Sequence, residues 1–153
     1  MHNRREAREV ALRGLYAIEV GKNKTQDVTK HIIKSVLTDD TDAIKFAERL
    51  MLYTVDNSED FDAIIDHHIN NWDVDRLAIV DKLILRMALS ELLYFSDIPT
   101  KVTINEAIEL AKSYSTRKSG NFVNGILDAA LEQLKEDNKI NKKGRGLIES
   151  SNH

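Results

Sequence analysis

From Ala43 to Ile65 the small and apolar side chains hold one stripe (Ala43, Ala47, Leu50, Met51, Thr54, Ser58, Phe61, Ile65) for about six helical turns. Such a stripe cannot be a strand, and nothing around it supplies the punctuation that strands need. The chain has one proline, Pro99, and six glycines in 153 residues, with few alternating β-branched runs. The constraint is therefore an all-α fold, with this stripe as one long helix or two broken near Asn57-Ser58.

The other segments repeat the pattern. A first helix is expected over about Arg4 to Val20, with Ala7, Val10, Ala11, Gly14, Leu15 and Ile18 on one broad face and Gly21 ending it. A shorter second helix is expected around Gln26 to Leu37, carried by Val28, Ile32 and Val36. Trp72, Asp73 and Asp75 mark a turn. The most apolar segment follows, from Leu77 to Leu92, and reads as the central buried helix. Arg86 and Glu91 interrupt it, so each needs a partner or a place at an edge. Beyond Pro99, Thr103 and Glu106 fit a T-x-x-E capping box before a compact helix. Ser119 then fits the N-cap of a last helix running through Phe122, Val123, Ile126, Leu127 and Leu134. Gly125 is expected to let a helix or ligand approach closely. Residues 1–137 form one expected domain, and residues 138–153, which lack an amphipathic pattern, a flexible basic tail.

Charge decides where an anionic partner fits. The net charge of -3 excludes a uniformly basic surface, but the charges are segregated. Thr38 to Asp66 is acidic apart from Lys45 and Arg49, whereas Lys112 to Arg145 is predominantly basic. Arg4, Arg5 and Arg8 fall within an arc of roughly 100° at the start of the first helix. A solvated helix flank explains them equally well, although cations there oppose the helix dipole and favour an anionic ligand. At the second start, Arg117, Lys118 and the unpaired backbone amides of the turn can hold a phosphate.

Catalytic and metal chemistry finds little footing. There is no cysteine, no phosphate-binding glycine loop, no nucleophile elbow and no H-E-x-x-H. His67 and His68 project about 100° apart, so they do not converge on a metal. Glu106 and Glu109 share a face, but dipole stabilisation accounts for their place in a first turn. Neither an enzyme nor a cofactor or metal is expected. The absence of cysteine fits a reducing compartment, and no apolar run suits a signal peptide or membrane span. A cytoplasmic location is the simplest expectation.

Three blocks give the chain a likeness: RREAREVALRGLY at Arg4 to Tyr16, VDKLILRMALSELL at Val80 to Leu93, and DIPTKVTINEAIELAKSYSTRKSGNFVNGILD at Asp97 to Asp128. It resembles the NusB family of bacterial transcription antitermination factors over nearly all of Arg4 to Leu134. The resemblance implies a compact helical bundle of about seven helices in two packed subdomains, and no enzymatic activity. Proteins of this kind bind the boxA element of ribosomal RNA operon leaders together with NusE, a small-subunit ribosomal protein, and the complex helps RNA polymerase pass terminators.

Carried over by position, Arg4, Arg5 and Arg8 match the family's arginine-rich start, and Ser119, Asn121 and Phe122 its second RNA-proximal motif. With Arg117 and Lys118 these are the expected RNA contacts. Phe122 is open between core packing and base stacking. Tyr16, Asp81, Lys82 and Arg86 are the expected NusE-facing residues. Two departures matter: Glu6 interrupts the basic run, and Arg117-Lys118 occupy a turn that is often acidic or mixed. The other reading is a self-associating regulatory module like the one preceding rRNA cytosine methyltransferase domains, although 153 residues leave no room for such a domain.

Overall fold

The computed structural model describes residues 3–69 and 74–151. Among them are seven helices and no strand, so the all-α expectation holds. In order these are α1 (Arg4–Glu19), α2 (25–37), α3 (Thr41–Asp56), α4 (Ser58–His68), α5 (Ile79–Tyr94), α6 (Thr100–Tyr114) and α7 (Arg117–Glu136). Short 3-10 segments cover Val74–Arg76 and Gly144–Ser151. The expected turn at Trp72 and Asp73 lies outside the described residues. The chain divides into two compact units, Met1–Asp56 and Asn57–His153.

In the first unit, Ala7, Val10, Ala11 and Leu15 of α1 are buried, as are Phe46, Ala47, Leu50 and Met51 of α3. Gly14 sets how closely these layers meet: a Cβ there would lie 2.9 Å from Val28 Cγ1 and 3.0 Å from Met51 Sδ. The α2 stripe differs from expectation. A π-helical turn, Thr29–Ile33, lies within it, and the extra residue in that turn rotates the inward face. Val28, Ile33 and Leu37 are buried, while Val36 is exposed. The left-handed residue after α1 is Lys22, at φ 57°, rather than Gly21.

The 43–65 stripe is two helices, interrupted at Asn57, which takes φ -113° and ψ 17°. In the second unit α5 is buried from Asp81 through Leu92, as the apolar segment predicts. Its two interrupting charges both find partners. The Arg86 guanidinium grips Asp62 of α4 with Nε–H and Nη2–H donating at 2.7 and 2.6 Å. Glu91 Oε1 accepts the Thr103 hydroxyl at 3.0 Å. This bond replaces the expected capping box: α6 starts at Thr100, after Pro99, so Thr103 lies inside the helix and its hydroxyl is spent on Glu91.

The stretch after α7, expected as a flexible tail, is anchored where it is described. At the end of α5, Lys142 Nζ donates to two carbonyls, Glu91 O (3.0 Å) and Phe95 O (2.7 Å), each of which also accepts a backbone N–H. The Lys143 N–H donates to Ser96 O. A Cβ on Gly146 would fall 2.1 Å from that same oxygen, so only glycine passes there without displacement.

Candidate nucleic-acid interface

In the first unit the basic start of α1 is built on a cap and an aromatic ring. Asn3 Oδ1 accepts the Glu6 N–H at 2.8 Å, which satisfies one of the first-turn amides and fixes where the helix begins. Glu6, a departure from the basic run, thereby occupies a first-turn position where its charge suits the helix dipole. Arg4 and Arg8 lie one turn apart, and both guanidiniums stand over the Phe46 ring, at 4.7 and 5.3 Å from its centroid. Arg8 is only 4% exposed, so it is a packed cation. Arg4 and Arg5 are exposed.

Arg4 and Phe46 also line a cavity of about 410 Å³ with Asp42, Lys45 and Arg49. Lys45 and Arg49 are the two bases of the acidic stretch. Sequence reasoning passed over them because their neighbours in the chain are acidic, but helix α3 turns them toward the start of α1.

In the second unit the turn into α7 is organised by hydroxyl groups. Thr116, not Ser119, is the N-cap: its Oγ1 accepts the Ser119 N–H at 3.1 Å. Ser119 is therefore the third residue of the helix, and its own hydroxyl donates to Asp81 Oδ2 on α5 at 3.0 Å. A serine hydroxyl has one proton. With that proton on Asp81, the Ser115 and Thr116 hydroxyls, 2.9 and 3.0 Å from Ser119 Oγ, must be the donors in those two contacts. The Asp81 carboxylate so orders a chain of three hydroxyls and pins the turn to α5.

Above this pinned base, Arg117 and Lys118 are exposed in the first turn of α7, where the dipole disfavours them. Asn121 is exposed as well. Phe122 is half-buried and, with Ile126, His68, Arg76, Lys118 and Asp81, lines a cavity of about 530 Å³. The His67 and His68 rings meet edge to face at 4.9 Å. Burial and then the neighbouring His67 hold the His68 imidazole below its ordinary 6.5. Gly125 is open: a Cβ there would meet nothing within 4 Å among the described residues, so none of them uses the close approach expected of it.

The residues expected to face NusE differ in availability. Tyr16 is 44% exposed, whereas Asp81, Lys82 and Arg86 are buried. Among the described residues no group of three or more histidines and carboxylates is arranged to hold a metal. No helix there is long and apolar enough to cross a membrane.

A profile of the NusB family matches residues 5–132. The chain belongs to the NusB family. The transcription antitermination protein NusB of Chloroherpeton thalassium is 46% identical over 96% of this chain and 70% of its own length. That of Salinibacter ruber is 43% identical over 97% and 92%. Among solved structures, T. maritima NusB superposes with a TM-score of 0.78 at 35% identity, covering 86% of this chain and 92% of that one. A crystal structure of NusB and NusE in complex with double-stranded RNA gives 0.78 at 28% identity over 85% and 96%. The family match thus reaches into both units.

Proposed function

We propose that this NusB-family protein is a non-enzymatic transcription antitermination factor of the cytoplasm. On this reading it binds boxA-like single-stranded RNA of ribosomal operon leaders jointly with NusE, within an antitermination complex on RNA polymerase. Residues 1–137 supply the functional domain. The relatives described above are antitermination proteins, and one solved likeness holds NusE and RNA.

The observation that carries the reading is the turn into α7, where Arg117 and Lys118 are exposed beside a half-buried Phe122 while the hydroxyls beneath them are committed to Asp81. Cations in such a position hold phosphates, and an aromatic face receives an unstacked base. Arg4 and Arg5 add phosphate contacts from the other unit, with Asn121 contributing amide hydrogen bonds. Arg8 and Ser119 act by position, one on Phe46 and one on Asp81. For NusE, Tyr16 offers an exposed ring, whereas Arg86 shapes α5 through Asp62 and Lys82 is buried on the same helix.

Titrating the protein with boxA-like single-stranded RNA, with and without NusE, tests the proposal. Binding that NusE tightens is expected, and no binding even with NusE contradicts it. The self-associating regulatory module is not favoured, because the curated relatives matched are antitermination proteins.

A further inference from the structure

Asp81 carries a carboxylate oxygen that nothing among the described residues satisfies. Its Oδ2 accepts the Ser119 hydroxyl, while Oδ1 is buried without a hydrogen-bond partner. A buried acceptor left in this state is costly, the more so on a charged group. Asp81 is 8% exposed and lines the 530 Å³ cavity, so a donor inside that cavity is the natural remedy. Oδ1 itself is buried beside the cavity, and the terminal torsion of an aspartate is broad enough for its two oxygens to be turned.

The rest of the lining narrows the donor. A carboxylate on the wall repels phosphate, so the interior does not suit the RNA backbone, whose place is with Arg76 and Lys118, both exposed. Phe122 and Ile126 offer an aromatic and an aliphatic surface to a flat group. A flat group with an N–H on its edge and phosphates on either side is an unpaired nucleobase. Carboxylates accept from the exocyclic amino group of cytosine, and uracil places a carbonyl oxygen at that same position. We infer that this cavity is a base-recognition pocket in which Asp81 selects an amino-bearing base, cytosine, over a keto-bearing one. The inference rests on the RNA-binding reading above, and it moves Asp81 from the NusE-facing set to the RNA site.

Short oligocytidine and oligouridine of equal length make the sharpest probe pair, because they differ only on the edge that meets Asp81. The wild-type protein should bind oligocytidine about tenfold more tightly. Asp81→Asn, whose amide still accepts from Ser119 and can donate to uracil O4, should erase or invert that preference. Lys118→Ala should weaken both oligonucleotides by the same factor. Equal wild-type affinities overturn the inference while leaving RNA binding intact, and this arm needs no variant to fold. An unchanged preference in Asp81→Asn, or loss of NusE binding there with the preference kept, also overturns it. Failure of both oligonucleotides to bind overturns the base pocket, while the RNA reading itself stands or falls by the boxA titration with NusE.

Discussion

The two units hold their cations in different ways. In the first, the guanidiniums of exposed Arg4 and buried Arg8 rest over the face of Phe46, an attraction between cation and ring. In the second, Arg86 is closed into a forked ion pair with Asp62, while Arg117 and Lys118 are left outward above hydroxyls tied to Asp81. The comparison teaches that an arginine's place in a sequence motif says little about its role. What matters is whether an aromatic ring, a carboxylate or nothing rigid meets it.

The strongest way to break the comparison is Arg86→Ala. Asp62 would keep its charge at a partly buried position with no partner, and we expect a loss of about 3 kcal/mol, read from the urea midpoint. A loss near zero would mean that the fork is decoration. Phe46→Leu preserves most of the apolar volume but removes the ring beneath two guanidiniums, so about 1–2 kcal/mol should go, with RNA affinity falling as Arg4 loses its platform. Thr116→Ala strips the cap of α7 and should cost about 1 kcal/mol, whereas Asn121→Ala at an exposed position should leave the melting temperature unchanged.

The smallest effect concerns acid. The folded imidazole of His68 titrates below its ordinary 6.5, so the unfolded chain takes up the proton first as pH falls. Stability contributed by the neutral ring is present above 6.5 and is lost as pH drops toward the folded value. His68→Gln should flatten that part of the stability profile, and an identical profile in the variant would contradict the assignment.

Most of the helices were legible in the sequence because each buries a continuous stripe, and α5 because it is the most apolar segment of the chain. The errors share a physical origin. Periodicity assumes a constant number of residues per turn, so the π-helical turn at Thr29–Ile33 passed unseen and shifted the inward face from Val36 to Leu37. Capping rules find hydroxyls but do not rank neighbouring ones: Thr116 and Ser119 both qualify, and the choice is made by Asp81, 38 residues away. Thr103 imitated a cap because its hydroxyl was needed by Glu91. In the candidate site the exposed basic residues were readable, but the partners that sort them were not. Phe46, Asp62 and the cavity around Asp81 are products of folding with no local signature.

The central claim is that exposed cations from both units contact the RNA backbone. Its most direct test is the salt dependence of boxA-like RNA affinity for Arg5→Ala, Lys118→Ala and the double variant. If each side chain meets one phosphate of a single strand, each substitution should lower the log–log slope by roughly 0.7, and the double variant by about twice that. Slopes unchanged from wild type in both single variants would contradict the claim and leave these residues as solvated charge.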